Sequence, residues 1–163
     1  MARYTFTLTL DDLTIVASPP PDQFLRSIVQ KSELTFDGLS PNNTPLFSGE
    51  TSPNWDRRYQ WVVSVEVTEM DALIIEAMLR EQTENNLIEL KDEYEYLELQ
   101  TGQQKPMISG SEVTIGTRTT GFFQGNVWMS VGEAHKTHLG AVGCDPTMDD
   151  IYKKVEFTLT EIP

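Results

Sequence analysis

A chain of 163 residues, 39% hydrophobic and 23% charged, has the composition of an ordinary globular protein and the length of one domain, 1–163, with its own core. With 12 Lys+Arg against 25 Asp+Glu, its net charge of −13 at pH 7 sets it against phosphate backbones. Together with basic spots no longer than Arg57-Arg58 and Lys153-Lys154, this argues against sequence-specific nucleic-acid binding. Cys144 is the only cysteine, so no intrachain disulfide forms, and no apolar run approaches the length that spans a bilayer. The start, MARYTFTLTLDD, lacks the apolar stretch of a secretory signal, so folding in a cytoplasm is expected.

In Tyr4–Leu10 the residues Tyr4, Phe6, Leu8 and Leu10 recur with period two, the mark of a half-buried strand. Asp11-Asp12 interrupts the run, Leu13–Ala17 reads as a short continuation, and Pro19-Pro20-Pro21 ends regular structure. Asp22–Lys31 fits a short helix with Phe24, Leu25, Ile28 and Val29 on one side. Ser40–Trp55, rich in Pro, Asn, Ser and Gly, reads as a long loop, and a loop or arm is expected over about 40–57. Its apolar residues Leu46, Phe47 and Trp55 either cover the chain's own core or reach a neighbouring subunit.

The clearest strand is Tyr59–Val67, with Tyr59, Trp61, Val63, Val65 and Val67 on one face. Thr68 then caps a helix expected over 69–83. Asp71 stands three residues on, and Glu69 and Asp71 suit the positive end of the helix dipole. Leu73, Ile74, Ala77 and Met78 supply a wide apolar stripe for packing on a sheet. Leu87–Leu90 opens the next strand, and a parity shift between Tyr94-Tyr96 and Leu97-Leu99 marks either a bulge or a second strand. Ser111–Arg118 and Phe122–Val131 read as paired strands joined through Thr119–Gly121, Gly132–Gly143 as loop, and Val155–Thr160 as the last strand. The tetrapeptide FTLT at both Phe6–Thr9 and Phe157–Thr160 suggests two strands of similar exposure in one sheet. The expected fold is mainly β (α+β): a β-sandwich or small barrel with one flanking amphipathic helix.

Chemistry-bearing residues are few. Glu133, His135 and His138 are the only metal-ligand candidates, with Cys144 nearby, but the spacing matches no established zinc pattern. No Gly-rich phosphate loop and no G-x-S-x-G elbow is present, and nothing orients Cys144 toward a histidine. Neither enzyme activity nor a cofactor is expected. An alternative role is a β-sandwich module that binds carbohydrate or another ligand, with Trp55, Trp61 or Trp128 as stacking platforms.

Over residues 58–97, the stretch WVVSVEVTEMDALIIEAMLREQTENNLIELKDEYEYL has the order strand, capped helix, strand. This pattern resembles the central unit of the tail-tube and distal-tail (baseplate) proteins of tailed bacteriophages. The resemblance implies a structural virion protein, located in the tail after folding in the host cytoplasm. It implies a homo-oligomer, a hexameric ring in many members, that stacks with other phage tail proteins around the DNA channel. An acidic surface suits such a channel. The 40–57 arm would lie against the next subunit, making Leu46, Phe47 and Trp55 the expected interface residues.

Overall fold

The computed structural model describes residues 5–19, 23–29, 34–49, 58–98, 107–131 and 136–162. Within these, the elements in chain order are β1 (Phe6–Leu10), β2 (Leu13–Ala17), β3 (Phe24–Val29), β4 (Leu34–Leu39), β5 (Pro45–Gly49), β6 (Arg58–Thr68), α1 (Glu69–Glu81), β7 (Ile88–Glu98), β8 (Val113–Ile115), β9 (Arg118–Ser130), β10 (Lys136–Ala141) and β11 (Ile151–Glu161). Seven strands run β2-β1-β7-β9-β11-β6-β3 across one antiparallel sheet. The same sheet gains β10 beside β11 and β8 beside β9, while β4 and β5 form a separate two-stranded sheet. The chain is therefore mainly β with a single described helix, as the alternation of its residues leads one to expect.

Period two fixes the core. Phe6, Leu8 and Leu10 of β1, Trp61, Val63, Val65 and Val67 of β6, and Val155, Phe157 and Leu159 of β11 all turn inward and are buried. The FTLT tetrapeptides both lie in this sheet but are not neighbours; they meet across the core, where the Phe6 and Phe157 rings contact edge to face at 6.4 Å. The sheet curls so that its ends approach. Phe24 of β3 stacks on Phe6 of β1 at 5.1 Å and on Tyr94 of β7 at 4.5 Å, although no backbone ladder joins these strands. The result is a small barrel whose seam is closed by side chains.

The helix spans the other part of that seam, touching β2 on one side and β6 and β11 on the other. Thr68 caps it as expected, its hydroxyl accepting from the Asp71 N–H at 3.4 Å. The buried stripe, however, is Ala72, Ile75 and Met78, with Ile74 and Leu79 packed at its flanks. Leu73, expected inside, is 42% exposed. The eight apolar residues of this helix fit more than one face, and the seam admits the narrow i, i+3, i+6 row. At the far end Gln82 replaces a strand: its Nε2 donates to the Met129 carbonyl at 2.6 Å and its Oε1 accepts the Met129 N–H at 2.9 Å. The amide thus mimics a β-ladder partner and ties the helix terminus to β9.

Several local expectations are corrected. Asp22–Lys31 contains no described helix; Phe24–Val29 is β3, paired antiparallel with β6 from Phe24↔Val63 to Val29↔Arg58. Apolar residues at i, i+1, i+4 and i+5 suit either a helix or a strand with mixed exposure, and the ladder to β6 decides. Leu13–Ala17 does not continue β1 but turns back on it as β2, around Asp11 with φ 53°. Ile88–Glu98 is one strand, β7, so no second strand begins there; its bulge against β9 lies between Asp92 and Tyr96, while Tyr96 and Leu97 stay in continuous register with Phe122 and Gly121. The β8–β9 turn lies at Gly116-Thr117, so Thr119–Gly121 belong to β9. Gly121 is a close approach: a Cβ there would sit 2.7 Å from the Met107 sulfur. Finally, Lys136–Ala141 within the expected loop is strand β10, whose own alternation is broken by a bulge between His138 and Gly140.

The packing predicts that Met78→Ala costs about 2–5 kcal/mol in urea denaturation. Leu73→Ala, on the outer side of the same helix, should cost less than about 1 kcal/mol. Equal effects would contradict the stripe described here.

Candidate assembly surface

Two features stand apart from the buried core, and both derive from how the barrel closes at β3. Arg26 pairs with Trp61 across β3 and β6, so both side chains point into the barrel. There they meet Asp92, which is fully buried. Trp61 Nε1 donates to Asp92 Oδ2 at 2.9 Å, the Tyr94 N–H donates to Asp92 Oδ1 at 2.8 Å, and Arg26 Nη1 lies 3.9 Å from Oδ2. The β7 bulge presents its carbonyls to the same guanidinium: Arg26 Nη2 donates to Tyr96 O at 2.7 Å and Nη1 to Glu95 O at 3.4 Å. The guanidinium also stacks 4.9 Å from the centre of the Tyr59 ring.

Burial pushes the Asp92 carboxyl above its ordinary value, against the pull of the Tyr94 and Trp61 hydrogen bonds and the Arg26 charge. Desolvation, with a contribution from Asp92, likewise pushes the Tyr94 hydroxyl up to about 12, and that hydroxyl donates to Pro19 O at 2.7 Å. Arg26 Nη2 also lies 3.3 Å from the exposed Glu95 carboxylate, so the cluster runs from the buried Asp92 outward to the surface and joins β3 to β7 through side chains.

With β3 locked at the end of the strand order, the chain leaves the sheet after Val29 and rejoins it at Arg58. Part of what lies between is the β4–β5 hairpin, paired from Leu34↔Gly49 to Leu39↔Pro45. Its turn is locally specified. Pro41 opens it, Asn43 adopts φ 61°, and Ser40 Oγ accepts the Asn42 and Thr44 N–H groups at 3.3 and 3.1 Å. The expected loop is therefore a hairpin over part of its length. Leu39 and Leu46 on it are 58% and 47% exposed. Phe47 is placed on β5 opposite Phe36, and Trp55 lies outside the described residues. The only charged residue from Leu34 to Gly49 is Asp37.

The second feature is the outer face of the β3–β6–β11–β9 end of the barrel. The register aligns Leu25, Val62, Thr158 and Ser130 in one row, and Ser27, Gln60, Thr160 and Trp128 in the next. Neither row contains a charge. Leu25 is 54% exposed, Val62 49% and Trp128 39%. Charge returns farther along the same face, with Glu156 beside Ser64 and Lys154 beside Glu66.

The remaining candidates are not brought together as a site. His138 is exposed on β10 opposite Lys153, whereas Glu133 and His135 lie outside the described residues. Among the described residues no cluster of three His, Cys, Asp or Glu side chains has metal-site geometry. Cys144 is exposed in the turn after β10. Trp61, considered as a stacking platform, is buried by its place on the inward face of β6; Trp128 keeps an exposed surface. A cleft of about 480 Å³ opens between β2, the second half of β6 and the start of α1. It is floored by Val65 and Val67 and carries the carboxylates Glu66 and Asp71. Sequence reading missed the Arg26–Asp92 pair, because partners separated in sequence are joined only by the curl of the sheet. Comparisons with protein-family models, curated proteins and solved structures find no match.

The Asp92 environment generates a pH prediction. A carboxyl raised in the folded state binds its proton more tightly there than in the unfolded chain. Its stability contribution is therefore fully present below the unfolded value of 3.8 and is lost as pH rises through the folded value. Relative to Asp92→Asn, the wild type should gain stability as pH falls from 7 toward 4 in urea titrations. Asp92→Ala, which leaves the buried Trp61 Nε1–H without its acceptor, should cost about 1–3 kcal/mol at pH 7.

Proposed function

We propose that this chain is a structural protein of a phage tail or baseplate that assembles into a ring around the DNA channel. The observation that carries the reading is the β4–β5 hairpin. Two strands alone are at best marginally stable in water, and among the described residues this pair joins no other strand while exposing Leu39 and Leu46. Such an element gains its ordering contacts from a partner. The nearly charge-free hairpin and the charge-free outer rows support copies of a −13 chain meeting there with least repulsion.

Two further features support the same reading. The strand–capped helix–strand unit that resembles tail-tube and distal-tail proteins is built as β6, α1 and β7 around one core. The acidity of the rest of the chain suits a channel through which DNA slides without adhering. In this reading the barrel is scaffold, the hairpin is the linking arm, and no residue performs catalysis.

Sedimentation velocity on the full chain tests the proposal. Discrete oligomers should form, and replacing 34–49 by a short Gly-Ser linker should return them to monomer while leaving the far-UV spectrum of the barrel in place. A wild type that remains monomeric up to high concentration would contradict the ring; oligomers that survive removal of the hairpin would contradict its role.

A further inference from the structure

We infer that the cleft between β2 and β6 is an acceptor slot for an extended segment of another protein, one that alternates apolar with basic residues. The ring reading does not use this cleft, and the inference stands apart from it. Val65, Glu66, Val67 and Thr68 of β6 all line the cleft, as do Val16 and Ala17 of β2. Successive residues of a strand point to opposite faces, so an opening that touches every one of them runs along the strand's edge. Among the described residues, both edges lack a ladder there. β3 pairs with β6 only as far as Phe24↔Val63, residues 64–68 pair with β11 alone, and β2 pairs with β1 alone.

The slot is thus a gap in the barrel wall into which two strands direct backbone donors and acceptors. A strand laid in the gap gains main-chain hydrogen bonds, and its alternate side chains meet the two sides of the wall. At about 3.3 Å per residue, the four lining residues of β6 leave room for about four residues of an extended chain.

The wall dictates the side chains of that segment. Its inward positions meet the buried floor of Val65 and Val67, which calls for small apolar residues. Its outward positions lie beside the exposed carboxylate of Glu66, with Asp71 at the end of the slot. Among the described residues, no basic side chain lines the cleft and neither carboxylate has an ion-pair partner. The lysines of the adjoining strand are engaged elsewhere, Lys154 with Glu156 at 3.7 Å and Lys153 with Glu69 at 3.4 Å. Cations at alternate positions complement this wall. The positive end of the α1 dipole lies at Asp71, so Glu66 is the stronger anchor.

The segment belongs to a different protein. In this chain no two Lys or Arg residues stand two apart, so a second copy offers no strand of the required pattern.

Fluorescence anisotropy of a dye-labelled Val-Lys-Val-Lys-Val peptide titrated with the full chain tests the slot. Saturable binding is expected, weakened at least tenfold by Glu66→Lys. Val16→Lys, at a position 62% exposed, should weaken it equally and serves as a second variant should Glu66→Lys unfold the barrel. Glu89→Lys changes the net charge as much as Glu66→Lys but lies on β7, outside the cleft, and should leave binding unchanged. A Val-Lys-Pro-Lys-Val peptide lacks the central N–H and should bind at least tenfold more weakly.

No saturable binding of the valine–lysine peptide, or an equal loss in Glu66→Lys and Glu89→Lys, would overturn the slot. Equal binding of the proline peptide would overturn the strand pairing. Each of these outcomes leaves ring formation to the sedimentation experiment.

Discussion

The meeting of Arg26, Trp61 and Asp92 inside the barrel is the constraint from which the rest of the architecture follows. An antiparallel sheet can close with a ladder of backbone hydrogen bonds; here β3 and β7 meet without one. A guanidinium instead satisfies the carbonyls of the β7 bulge, and a buried carboxylate receives Trp61 Nε1–H and Tyr94 N–H. Removing two charged groups from water costs several kcal/mol each, and the arrangement persists because neighbouring donors and acceptors are satisfied at once. Phe24, stacked between Phe6 and Tyr94, supplies the apolar half of the same closure.

After β3, the last strand in the order, Leu34–Gly49 pairs on itself as the β4–β5 hairpin, a sheet separate from the nine-stranded one. The outward sides of β3, β6, β11 and β9 carry two charge-free rows, bounded by Glu66, Lys154 and Glu156 on one side and by Arg58 on the other.

Much of this fold is legible in the residues because alternation is a local signal. Phe6-Leu8-Leu10, Tyr59 through Val67 and Val155-Phe157-Leu159 announce their buried faces, and Thr68 with Asp71 announces the helix start. Where pattern and structure part, a non-local interaction has decided. Phe24–Val29 fits a helix until β6 offers a ladder, and Lys136–Ala141 lacks a clean period because a bulge at Gly140 interrupts it. The helix shows the same limit: eight apolar residues leave its inner row ambiguous, and the width of the seam selects Ala72, Ile75 and Met78. Of the assembly surface, Leu46 was visible as an apolar residue in a polar stretch. The face at Leu25, Val62 and Trp128 was not, since its rows exist only once four strands from distant parts of the chain are in register.

The central proposal is that copies of this chain assemble into a ring to which the β4–β5 hairpin contributes a contact. A three-dimensional electron-microscopy reconstruction of the assembled full chain tests it most directly. It should show closed rings with an axial opening, each β4–β5 hairpin in contact with the adjacent subunit. Rings in which each hairpin folds onto its own barrel, or a chain that forms no ring, would contradict the account.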